Sequence, residues 1–131
     1  MRRLVCVGVC SVFVAAGCNG GTVDRQALTK DSGTLDSIAC EGALLAHDVA
    51  RGRSTVFFAR EQAEELRIQS SNLADALSRR KTISVIRKKV RQKAKDAAAL
   101  AATLERLHRQ PSDRSVGAAV ERALKKMGNC P

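Results

Sequence analysis

Aromatic residues are nearly absent: the 131 residues include no Trp, no Tyr and only three Phe. A core without rings must be filled by Leu, Ile, Val and Ala, and an Ala-rich core requires closely approaching elements that bury little area per residue. The same absence removes the stacking platforms on which single-stranded nucleic acids are usually held. Histidine is scarce too, with only His47 and His108. They fall in different predicted helices, and His47 and Asp48, adjacent in sequence, point in different directions on a helix. GxSxG, HExxH and phosphate-cradling Gly-rich loops are all missing. No segment alternates in the manner of a strand. What remains is a chain with no recognisable catalytic constellation, expected to act by binding or structural support. The competing class is a small enzyme whose site follows no known motif.

The first residues carry the clearest pattern. Met1-Arg2-Arg3 is a short positive segment, followed by an apolar run from Leu4 to Ala16. The run is shorter than the roughly 20 residues needed to span a bilayer, but it suits the apolar region of a secretory signal. It ends in Ala15-Ala16-Gly17-Cys18. These residues resemble the lipobox of bacterial lipoproteins, with Ala15 where that family usually carries Leu. The resemblance covers residues 1–18 only. It implies transfer of a diacylglyceryl group to the Cys18 thiol, cleavage before Cys18, and a lipid-anchored location outside the cytoplasm. In general plan the remainder resembles small helical bacterial lipoproteins. The expected organisation is a signal peptide over 1–17, a flexible lipidated tether over 18–33 containing Gly20, Gly21 and Gly33, and a helical domain over 34–131.

Five cysteines are present. On this scheme Cys6 and Cys10 leave with the signal and Cys18 carries lipid. Cys40 and Cys130 remain, an even pair in an exported chain, and read first as a disulfide. The alternative is two buried thiols. Pairing would leave too few His and Cys ligands for a zinc site, so neither metal nor cofactor is expected.

Helical spacing dominates the rest. Leu35, Ile38, Gly42, Leu45 and Val49 recur at intervals of three and four and predict a helix over 34–50, capped by Ser32 or Thr34. Val56, Ala59, Ala63, Leu66, Ser70, Leu73 and Leu77 predict a second over 55–78. A third, over 82–109, follows from Ile83, Ile86, Val90, Ala94, Ala97, Ala101 and Leu104, stopped by Pro111. Val116, Val120, Ala123 and Met127 mark a fourth, ending at Gly128. Short connections favour an all-α, antiparallel up-down-up-down four-helix bundle; a long dimerising coiled-coil seam is the alternative. The bundle places Cys40 and Cys130 towards the tethered pole. Gly128-Asn129 must then fold back across roughly 10 Å for the pair to meet. Phe57-Phe58 is expected to cap the bundle end; an exposed docking pair is the alternative.

Charge is uneven. Residues 18–78 carry 6 Lys and Arg against 9 Asp and Glu; residues 79–131 carry 15 against 4. Nine positives, Arg79, Arg80, Lys81, Arg87, Lys88, Lys89, Arg91, Lys93 and Lys95, form a run without an intervening acid. Such a run is either a solvated face beside a more acidic second helix or a surface for an anionic partner. Anionic lipid is the nearest partner for a tethered protein. Nucleic acid needs only clustered positive charge but is disfavoured by the missing aromatics and the exported location. An acidic protein or polyanionic wall polymer is the third possibility. Because the second and third helices are read as the longer ones, their basic turn is expected to protrude at the tethered pole.

Overall fold

The computed structural model describes residues 22–130. The expected signal peptide, the expected lipidation at Cys18 and the first residues of the expected tether lie outside them. The described chain is an all-α, antiparallel four-helix bundle. Its helices are α1 (Arg25–Ala50), α2 (Val56–Arg79), α3 (Arg87–Arg109) and α4 (Arg114–Met127). A 3-10 turn, Ser84–Ile86, leads into α3.

Local chemistry explains three of the four starts. Asp24 caps α1 by accepting from the Ala27 N–H at 2.8 Å. Thr55 accepts from the Phe58 N–H at the head of α2. Asp113 accepts from the Ser115 and Val116 N–H groups at the head of α4. Each cap satisfies donors that the first helical turn leaves without partners. α3 has no side-chain cap and no acid in its first turn.

The structure corrects the tether. Residues 18–33 are not a flexible segment throughout, because α1 begins at Arg25 and Val23 is 1% exposed. Gly33 stands inside the helix on an open face, with nothing within 4 Å of where a Cβ would be. One interior glycine costs about 1 kcal/mol of helix stability, which packing of the flanking turns outweighs. α1 is consequently the longest helix, at 26 residues against 24, 23 and 14. The α2–α3 turn therefore does not overhang α1.

α2 packs most extensively on α3, and α1 on α4. Two apolar clusters result. The larger draws on all four helices and includes Leu35, Ala46, Leu66, Leu100, Leu104, Leu107, Val120 and Leu124. The smaller comprises Val23, Leu77, Ile86, Val90 and Ala94, flanked by Ala27, Leu28 and Leu73. α4 contributes nothing to it, so one pole of the molecule is a three-helix assembly. Small residues permit the close approach. Ser70 is fully buried and donates to the Ala97 carbonyl across the α2–α3 seam at 2.7 Å. A Cβ on Gly117 would stand 2.7 Å from the Ala50 nitrogen and 3.0 Å from the Ala46 carbonyl oxygen, so α4 rests directly on the backbone of α1.

Cys40 and Cys130 are joined as a disulfide, with Cα atoms 5.3 Å apart. Its position differs from the expectation. Cys40 lies in the interior of the lengthened α1, so the link braces the middle of the bundle rather than one of its poles. The fold-back at Gly128 is present in extended backbone, φ −102°, not in a left-handed cap. Glycine is required there by proximity: a Cβ would meet that of Ala39 at 2.7 Å and the Asp36 carbonyl oxygen at 3.3 Å. Phe57 and Phe58 do not close the far end; they are 75% and 53% exposed.

Candidate functional site

The three-helix pole concentrates the unusual features of the chain. After α2, residues 80–83 run extended beside the N-terminal arm. Val23 donates its N–H to the Lys81 carbonyl at 2.8 Å, and Val23 and Thr82 form an isolated parallel β-bridge. Val23 is thereby seated on Leu77, Ile86 and Val90. The arm that continues towards Cys18 is fixed against the basic turn itself, five residues from that cysteine.

The nine expected basic residues are brought together on this pole and along the first half of α3, but not all are equally available. Arg79 lies 3.4 Å from Asp75, Arg80 3.5 Å from Asp31 on α1, and Lys93 3.8 Å from Asp96. Asp31 Oδ2 is buried and makes no hydrogen bond, so Arg80 is its compensating charge. Arg80 is therefore partly a structural residue. Lys81, Arg87, Lys88, Lys89, Arg91 and Lys95 are exposed, and among the described residues none of them forms an ion pair.

Arg87, Lys88 and Lys89 occupy the first turn of α3, where the helix dipole is positive and no acid or cap offsets it. Cations there are disfavoured by roughly the 0.3–1 kcal/mol that an anion would gain. This is a local conflict within an otherwise consistent fold.

Two apolar side chains share the pole. Ile83 is 41% exposed and Val85 is 74% exposed. The helical stripe assigned Ile83 to the core. The 3-10 turn starts α3 later and turns Ile83 outward, leaving Ile86 as the buried residue. The missed signal is local: residues 82–86 are an uncharged stretch between Lys81 and Arg87 in which Ile83 and Val85 alternate with Thr82, Ser84 and Ile86.

An open groove of about 870 Å³ runs from this turn along the α2–α3 seam. Leu77, Val90 and Ala94 form its buried floor, and Ala74 and Ala98 keep it wide. Arg80, Lys81, Arg87, Arg91 and Lys95 line its edge, with Asp75 the one carboxylate.

Neither histidine builds a comparable site. His47 Nδ1 lies 3.1 Å from Glu121 Oε1, linking α1 to α4, and Lys125 donates to the same oxygen. Lys125 chiefly, with His47 assisting, holds the Glu121 carboxyl below its ordinary value of 4.5 against the effect of burial. His108 Nδ1 stands 3.7 Å from Glu64 Oε2 and 3.2 Å from the Arg60 carbonyl oxygen. Arg67 clasps Glu64 through two nitrogens and reaches Glu105 at 3.2 Å. The hydrogen bond from Arg67 lowers the Glu64 pKa, opposite to the shift a general acid at neutral pH requires. These are clamps between helices. Among the described residues no three His, Cys, Asp or Glu side chains assemble as a metal-ligand set, and no helix is long and apolar enough to cross a membrane.

No family model, curated protein or solved structure matches this chain.

Proposed function

We propose that the protein is a lipid-anchored component of a bacterial envelope, with a binding or structural role. On this reading its basic three-helix pole rests on the anionic surface of the membrane that holds it. The observation that carries the reading is the seating of Val23 on the α2–α3 turn. If lipid is attached at Cys18, five residues separate the anchor from the basic turn. At full extension they reach about 17 Å; as a flexible chain they average roughly 12 Å. The screening length at physiological salt is about 8 Å, so attraction to a headgroup layer acts once the pole comes within that distance, an approach that so short a tether leaves open. Each Lys or Arg near such a surface contributes on the order of 1 kcal/mol. Exposed Ile83 and Val85 add apolar contact at the same tip, and an anionic layer relieves the conflict at the head of α3.

Two measurements test this. Protein expressed from the full sequence should be recovered with membranes and carry acyl chains at Cys18, whereas Cys18→Ser should be unprocessed and unacylated. A Cys18→Ser product cleaved and retained like the parent excludes the anchor. In co-sedimentation, anionic vesicles should bind the protein more than zwitterionic ones, and salt should weaken the binding. Joint conversion of Arg87, Lys88, Lys89 and Arg91 to Gln should lower the anionic component by about tenfold or more. Equal binding to both vesicle types at low salt would assign the basic face to solvent or to a soluble partner.

A further inference from the structure

We infer that the α2–α3 groove is a site for a single phosphate-bearing lipid, an anionic phospholipid drawn from the adjoining bilayer. The inference rests on the membrane-facing reading and goes further, from a charged surface to a built site with one occupant.

The groove has the two chemistries such a molecule needs, side by side along its length. Along α3, Arg87, Arg91 and Lys95 recur every four residues, a charge about every 6 Å along one face. One position before or three after each lies the apolar row Val90, Ala94 and Ala98. From Arg87 to Ala98 the helix rises about 16 Å, so the groove is long enough for a headgroup and the upper part of a chain. Leu77 from α2 completes the floor. Two arginines at the turn end suit a phosphate, which guanidinium groups hold through paired N–H donors. The small side chains of Ala74, Ala94 and Ala98 leave the α2–α3 seam open where larger residues would close it. The one lining acid, Asp75, is directed to Arg79 at 3.4 Å. A purely electrostatic surface would need the charges and have no use for the apolar floor.

Native mass spectrometry decides the matter on protein expressed from its full sequence and released in neutral detergent. Dioctanoyl phosphatidylglycerol should add as a single saturable adduct, while dioctanoyl phosphatidylcholine and inorganic phosphate should not. Ala98→Leu fills the groove without altering charge and, Ala98 being exposed, without disturbing the core. It and Arg91→Gln should each reduce the adduct by about fivefold or more. Arg122→Gln, an equal loss of charge on α4, should leave it within about twofold. Circular dichroism melts establish that the variants are folded. If phosphatidylcholine or phosphate binds equally, or if Ala98→Leu leaves the adduct unchanged, the groove is not the site. Vesicle binding that survives such a result would leave the membrane-facing reading intact. Loss of anionic-vesicle binding by the parent protein would remove both.

Discussion

Replacing Val23 by Ala tests the junction that joins the N-terminal arm to the basic turn. Val23 is 1% exposed and belongs to the smaller cluster. Its two lost methyl groups are worth about 0.8 kcal/mol each in transfer, and incomplete collapse adds a cavity term, for a total near 2 kcal/mol. The arm has little in reserve. Burial of the valine contributes about 2 kcal/mol and the hydrogen bond from its N–H to Lys81 about 1 kcal/mol. The expected result is local release. Hydrogen exchange at the residue 23 amide should accelerate about thirtyfold, the equivalent of 2 kcal/mol. Amides around Leu104 and Leu107 in the larger cluster should change far less. Unchanged exchange at residue 23 would show that the valine does not hold the arm. Equal acceleration at Leu104 would show that the two clusters open as one unit, contrary to the separation argued from their packing.

Three further outcomes are expected. Joint Cys40→Ser and Cys130→Ser substitution, which opens a sequence span of 90 residues, should cost on the order of 4 kcal/mol in urea unfolding by the chain-entropy model, and a loss below about 1 kcal/mol would refute the brace. Gly33→Ala, with open space at its Cβ, should stabilise by about 1 kcal/mol; Gly117→Ala, which meets the α1 backbone, should destabilise by about 1–3 kcal/mol despite the same gain in propensity, and a reversed order would contradict the packing. Glu121 has a lowered folded-state pKa, so its contribution is present at neutral pH and is lost as pH falls below the ordinary 4.5; Glu121→Gln should flatten the acid limb of a stability profile, and an unchanged limb would place the acid sensitivity elsewhere.

α2, α3 and α4 were legible in the sequence to within a few residues because their apolar stripes are continuous and their breaks carry clear signals: Arg51-Gly52-Arg53, the basic turn and Pro111. The start of α1 was not. Leu28 and Leu35 lie two turns apart on its inner side, but the residue between them, Asp31, interrupts the stripe. Its partner is Arg80, distant in sequence, and no local pattern announces such a pair. Gly33 reinforced the impression of a linker while standing on an open face. That misplaced start carried the disulfide and the relative helix lengths with it. The basic run was plain as a composition. Its junction with Val23, its groove and the outward turn of Ile83 depend on the 3-10 entry into α3 and on long-range packing.

The distribution of stability across the molecule bears on where its function resides. Three of the four helix contacts around the bundle are made by helices joined through short connections. The fourth, α1 with α4, joins the two ends of the chain and is braced by the disulfide and by the direct seating of Gly117. That brace lies beyond the smaller cluster, which has neither α4 nor a covalent link and is held by Val23, five buried side chains in all, and the Arg80–Asp31 pair. The same pole carries the uncapped head of α3 with its three cations and the exposed Ile83 and Val85. Electrostatic strain is thus tolerated where packing is thinnest, while the strongest packing and the disulfide lie elsewhere. A stability requirement alone would place acids at the head of α3 and bury its neighbouring aliphatics. On the proposed reading, both departures are relieved by the same surroundings, an anionic layer overlying an apolar interior.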